Sequence, residues 1–170
     1  TREQEQSTEA TVKEVIRRLR SYQTVDGSFS YWPGGTAPNA WGTVYAIHFL
    51  LEAEKKGYLV PEGMKRNALN DLSRIARNWK PEASYSAESE EMTQAYRLFV
   101  LALGQVAEVG AMNRLKESKT LMSMSRYLLA AGYALVGRPD VSKELVVKTT
   151  ALTTACSGYD QTFGSDLRDI

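Results

Sequence analysis

The stretch Gln23-Thr24-Val25-Asp26-Gly27-Ser28-Phe29-Ser30-Tyr31-Trp32-Pro33-Gly34-Gly35, followed by Trp41-Gly42-Thr43-Val44-Tyr45-Ala46 and closing at Gly57, decides the fold of this chain. A first helix ends near Gln23, a Gly-rich turn with three aromatics follows, and a second, apolar helix opens on Trp41 and Thr43. That order of elements is one turn of an α/α toroid.

Working outward, Ser7 or Thr8 can cap a first helix running to about Tyr22, with Val12, Val15, Ile16 and Leu19 at helical spacing on one face. Trp41 to Lys56 is apolar almost without a break, and an element apolar nearly all round is expected to be buried on most sides. Pro61 fits the first turn of a third, one-sided helix carrying Leu69, Leu72, Ile75 and Ala76. After a polar loop from about Lys80 to Ser89, residues Glu90 to Val109 read as a second inner helix before Gly110. A short helix around Asn113 to Glu117, an inner one from Leu121 to Val136 and an outer one from Pro139 to about Thr150 complete the series. Strand signal is weak; only Val146-Val147-Lys148-Thr149-Thr150 has the β-branched character, and a helix holds it equally well.

The two strongest inner helices resemble one another at an offset of 50 residues, Thr43, Phe49 and Leu51 against Thr93, Phe99 and Leu101. The third keeps the aromatic, small-residue and terminal-Gly character, from Tyr127 to Gly137. A repeated helix pair that cannot bury its apolar face alone stacks into a solenoid or closes into a toroid. The fold class is therefore all-α, a partial α/α toroid of alternating inner and outer helices.

Length and composition set the bounds. A chain of 170 residues with 43% hydrophobic residues suits one domain with a real core. Its 21 basic and 20 acidic residues leave a net charge of +1, which calls for no nucleic acid, anionic membrane or acidic ligand. No apolar run approaches the roughly 18 residues that a bilayer span needs, and Thr1 to Gln6 does not read as a signal peptide. A single cysteine, Cys156, leaves no internal disulfide and no thiolate-rich zinc site.

Each residue that could carry chemistry has a plainer reading. His48 is the only histidine; as a general base it needs an orienting partner and a nucleophile, and it reads instead as a core or cavity-facing ring. Cys156 and Gln161 suggest an internal thioester, but such loops space Cys and Gln three apart and position 159 is Tyr159, so Cys156 reads as structural. Asp26 could be a general acid, yet toroidal enzymes of that kind need clustered carboxylates, and Glu88, Glu90 and Glu91 suit a helix start. Asp26 thus reads as a turn residue beside Gly27. Phe29, Tyr31 and Trp32 could form a ligand platform, but are expected to plug the end of the barrel with Trp41 against them. No catalytic, cofactor-binding or metal-ligating residue is assigned.

The block from Gln23 to Trp32, with Trp41-Gly42-Thr43-Val44-Tyr45 through Phe49-Leu50-Leu51-Glu52-Ala53 and Gly57-Tyr58-Leu59-Val60-Pro61, closely resembles the thioester-containing domain of bacterial alpha-2-macroglobulin-like proteins. Ala95-Tyr96, Leu101-Ala102, Ala130 to Gly137 and Gly164-Ser165-Asp166-Leu167-Arg168-Asp169 follow in the family's order, so the resemblance covers about residues 15 to 170. It implies a toroid of which this chain is roughly half, with residues 1 to 170 a fragment of a larger multidomain protein. The end at Gly164 to Ile170, a capped helix start without its helix, is in keeping with that expectation.

Proteins of this kind are secreted or periplasmic endopeptidase inhibitors. A protease cuts a bait segment, the molecule collapses around it, and an exposed thioester acylates a surface nucleophile. The implied partners are proteases, acting through the full-length protein, and neighbouring domains; no cofactor, nucleic acid or membrane insertion is implied, and the protein is no turnover enzyme. The Cys-x-x-Gln loop lies upstream of the Asp-Gly-Ser-Phe block in the family and is absent here, so no reactive residue carries over. The alternatives are an α/α-toroid enzyme of cyclase, prenyltransferase or polysaccharide lyase type, or a free-standing helical-repeat binding module.

Overall fold

The computed structural model describes residues 2–81, 87–118 and 121–155. Among these are seven helices: α1 (Arg2–Leu19), α2 (Ala40–Lys55), α3 (Glu62–Asn78), α4 (Ala87–Leu103), α5 (Val109–Lys116), α6 (Ser123–Leu135) and α7 (Pro139–Ala155). Helices α2, α4 and α6 lie side by side as the inner row, and α1, α3, α5 and α7 cover them from outside. Inner and outer helices alternate along the chain, giving the arc of an α/α toroid. Val146 and Val147 are helical, within α7.

Helix α4 is the centre of the arc, touching α2, α3, α5 and α6. Its Ala95, Leu98, Val100 and Leu101 are fully buried, and with Leu50, Leu72, Leu129 and Tyr133 they form one continuous core. Each buried Leu or Val side chain removed from water contributes about 1.5–3 kcal/mol. The outer helices have the expected one-sided pattern: α3 buries Met64, Ala68, Leu69, Leu72 and Ala76, and α1 turns Ile16 inward with Val12 and Leu19 half-buried. Val15 of α1 is exposed.

Four boundaries differ from the sequence reading. Helix α1 already includes Ser7 and Thr8, which are not caps; the Thr8 hydroxyl donates back to the Gln4 carbonyl at 2.8 Å. Helical ion pairs Glu9–Lys13, Glu14–Arg17 and Glu14–Arg18 lie along the rest of the helix. Its last residue is Leu19 rather than Tyr22. Pro61 stands just outside α3, at its N-cap.

Helix α4 stops at Leu103, six residues before Val109, and the left-handed residue at the reversal is Gln105 rather than the adjacent Gly104. Gln105 takes φ +61° there, its N–H donates to Ala102 O, and Val106 N–H donates to Leu101 O at 2.9 Å. This is a Schellman closure, in which the residue just past the helix is left-handed. Helix α2 ends in the same way at Gly57 (Tyr58 N–H to Ala53 O, 3.0 Å), and α6 at Gly137 (Arg138 N–H to Tyr133 O, 2.9 Å). All three inner helices share one C-terminal device, and α4 makes it with a glutamine.

Helix α2 is also less buried than its composition suggests. Thr43, Val44, Ala46, Ile47 and Leu50 face its neighbours, but Trp41 and Tyr45 are exposed and His48 is half-buried. α1, α3 and α4 cover the rest of the helix, leaving this one stripe open.

Candidate functional site

The loop between α1 and α2 is held from all sides. Short antiparallel bridges pair Gln23 with Phe29 and Ser30 with Pro38. The Gln23 amide donates to Gly27 O at 3.1 Å and to Met64 O of α3 at 2.9 Å. Gly27 sits at φ +108°, and a Cβ there would lie 2.4 Å from Asn67 O, so the loop touches α3 backbone to backbone. Next to it, the Ser28 hydroxyl donates to the buried carboxylate of Asp71 on α3, which also receives Arg74.

Phe29 is locked to α2 by a reciprocal pair. Its N–H donates to Thr43 Oγ1 at 2.9 Å, and the Thr43 hydroxyl donates to Phe29 O at 3.1 Å. The Ser30 hydroxyl reaches Trp32 O at 2.7 Å, and Asn39 caps α2 through Gly42 N–H at 2.6 Å. Thr93, the counterpart of Thr43 in the weak repeat, only donates to Ser89 O within its own helix. The repeat therefore extends to the helix faces but not to the clamp.

Asp26 is exposed at the tip of the turn that Gly27 N–H closes on Thr24 O at 3.0 Å. The acid that holds this loop is instead Asp71. One signal for it was present in the sequence: Met64, Ala68, Asp71 and Ile75 fall on a single helical stripe, which puts a carboxylate in an apolar face.

Of the three loop aromatics, only Phe29 is buried. Tyr31 and Trp32 are 68% and 70% exposed and pack edge to face on each other, with ring centroids 4.9 Å apart. The expected plug of three aromatics is thus a single Phe. Trp41 packs against Tyr96 of α4 at 5.2 Å rather than against the loop pair. Hydrogen bonds hold Ser28 to Asp71 and Ser30 to Tyr22 O on either side of the buried Phe29, and the chain reaches the surface again at Tyr31.

His48 lies on the same open stripe of α2. Its Nδ1 is 2.8 Å from the Tyr96 hydroxyl, and the edges of Tyr96 and Phe99 meet its ring at centroid distances of 5.7 and 5.5 Å. Burial holds the imidazole below its ordinary pKa, with Glu52 pulling the other way, and burial raises the Tyr96 phenol. The hydrogen bond between His48 Nδ1 and the Tyr96 hydroxyl ties two inner helices together. The described groups around the ring are the aromatic edges, the Tyr96 phenol and the Glu52 carboxylate.

Among the described residues no group of three or more His, Cys, Asp or Glu side chains is placed to hold a metal ion, and no helix is long and apolar enough to cross a membrane. Cys156, Tyr159, Gln161 and the Gly164 to Asp169 motif lie outside the described residues.

No family model matches the chain. It is 29% identical over 168 residues to the alpha-2-macroglobulin of Escherichia coli K12, covering 94% of this chain and 10% of that protein. To the alpha-2-macroglobulin of Xylella fastidiosa Temecula1 it is 31% identical over 129 residues, covering 72% and 8% respectively. The chain thus spans about a tenth or less of the length of these relatives.

In fold it is similar to native E. coli alpha-2-macroglobulin from domain MG7 to the C-terminus, with a TM-score of 0.75 at 23% identity over 86% of this chain and 24% of that one. E. coli alpha-2-macroglobulin activated by porcine elastase gives 0.74 at 24% identity, over 82% and 13%. Salmonella alpha-2-macroglobulin reacted with methylamine gives 0.68 at 24%, over 78% and 9%. The chain is a homologue of the bacterial alpha-2-macroglobulins, matching one helical segment of them.

Proposed function

We propose that residues 1–170 form a partial toroid domain within the thioester-containing domain of an alpha-2-macroglobulin-like endopeptidase inhibitor, a multidomain protein of the periplasm or the extracellular space. The observation that carries this reading is the clamped loop. Gln23, Gly27, Ser28, Phe29 and Thr43, the residues that carry the resemblance, are those that fasten α2 and α3 together. The alternating helical arc and the likeness to E. coli proteins described as activated by trypsin and by elastase support it further.

In this role the chain is a rigid support. The thioester is a preformed acyl group on a thiolate leaving group, shielded from water until the molecule changes shape. When a lysine amine of the trapped protease attacks the thioester carbonyl, an amide bond forms, the C–S bond breaks and the sulfur leaves as thiolate. The acyl group is used once, so the protein does not turn over. This segment contributes the helical wall and the docking surface for neighbouring domains, and the Cys-x-x-Gln loop comes from elsewhere in the full-length protein.

The test is inhibition of the full-length protein's target by enclosure. After incubation with trypsin, the trapped enzyme is expected to keep cleaving a small chromogenic peptide while losing most activity on casein. Equal retention of both activities, or equal loss of both, contradicts the reading.

A further inference from the structure

A cavity of about 410 Å³ opens between the C-terminal end of α3 and helix α5, remote from the clamped loop. Ala111 and Leu115 of α5 and Trp79 just past α3 give it an apolar wall, and the buried Gln94 of α4 closes one side. Its volume falls within the range of small-molecule sites, and apolar walls with a few placed polar groups are their usual lining.

Among the described residues that line this cavity are three cations, Arg77, Lys80 and Arg114, and one carboxylate, Glu117. Arg114 is held in place by donating to the Arg77 carbonyl at 2.7 Å, and Arg77 also lies 3.4 Å from Glu108. Attraction to the carbonyl end of α3 accounts for Arg114. It does not account for the rest.

Behind Gln94 lies a fourth cation. Arg97 is only 6% exposed, its Nη1 donates to Gln94 Oε1, and its Nε has no hydrogen-bond partner. Burial alone pushes its guanidinium down to about 10. Among the described residues no carboxylate pairs with Arg97, a costly state for a buried cation, and its partner Gln94 is the residue that lines the cavity. The near-zero net charge of the chain conceals this local excess.

We propose that this cavity binds a small organic anion with an apolar body, an aryl or acyl carboxylate whose charge meets Lys80 and Arg114 and whose apolar part lies on Trp79, Ala111 and Leu115. The proposal stands independently of protease inhibition.

The experiment is a titration of the full chain with 4-phenylbutyrate, followed by heteronuclear NMR at the Trp79 indole and the Ala111 methyl. The neutral 4-phenylbutan-1-ol serves as control. Saturable shifts at both groups are expected, with the alcohol at least about tenfold weaker and affinity falling as salt is raised. Lys80 is exposed at the rim, so Lys80→Glu leaves the fold intact and is expected to weaken phenylbutyrate about fivefold. Arg114→Ala, as a second variant, is expected to act in the same direction. Absence of saturable shifts at Trp79 and Ala111, equal binding of the alcohol, or unchanged affinity in Lys80→Glu would overturn the proposal.

Discussion

The Tyr96 hydroxyl of α4 lies 2.8 Å from Nδ1 of His48 on α2, so the one histidine of the chain joins two neighbouring inner helices. Burial lowers the imidazole pKa in the folded state, and Glu52 offsets this only in part. The unfolded chain therefore takes up this proton more readily than the folded one. Stability from His48 is complete above the ordinary histidine pKa of about 6.5 and is lost as pH falls from there through the lower folded value. Thermal denaturation is expected to show Tm falling between pH 7.5 and 5.5, and His48→Gln, which keeps an acceptor for Tyr96, should flatten that slope. An equal slope in both proteins would assign the pH dependence to other groups.

Two backbone positions test how the loop and the inner helices are fixed. Gly27→Ala meets both a forbidden φ and Asn67 O at 2.4 Å, so a loss of about 2–4 kcal/mol is expected in chemical denaturation. Gln105→Gly should act oppositely, raising stability by about 0.5–1 kcal/mol, because glycine takes the left-handed position without steric cost.

Phe29 and Trp32, three residues apart in one aromatic loop, should differ sharply. Phe29→Ala empties a buried site and is expected to cost about 3–5 kcal/mol. Trp32→Ala removes a ring that is 70% exposed and should change stability by no more than about 0.5 kcal/mol. Similar losses in both would restore the aromatic plug that the sequence suggested.

Ser28 and Asp71 are 43 residues apart in the chain and share one buried hydrogen bond. Ser28→Ala and Asp71→Ala are each expected to destabilise by about 1–3 kcal/mol, and the double variant by less than their sum. A double-mutant cycle with zero coupling would show that the loop is held by other contacts.

These residues also mark what a single sequence conveys. Periodicity located every helix, because outer helices such as α3 alternate sharply and inner ones such as α4 are apolar on nearly all sides. The end of α4 was not legible, since a glutamine occupies the left-handed position that glycine holds in α2 and α6. Asp71 escaped notice because its partner Ser28 is distant in sequence, whereas Asp26 drew attention by standing inside the motif and is only a turn tip. The exposure of Tyr31 and Trp32 is not legible in the sequence, because hydrophobicity carries no information on which way a bridged loop turns. The cavity beside α5 is lined by Arg77, Lys80 and Arg114, with Arg97 bonded to Gln94 of its wall, and these converge only once α3, α4 and α5 have packed.

The central claim is that this arc belongs to a protein whose work is done by a thioester. Methylamine, a small nucleophile, tests it by cleaving such a bond to an amide and a thiol. The measurement is intact mass and thiol titration of the full-length protein with and without methylamine. The account predicts a mass increase of one methylamine together with one newly titratable thiol. An unchanged mass with no new thiol would contradict it, leaving a toroid that works by steric enclosure or protein binding alone.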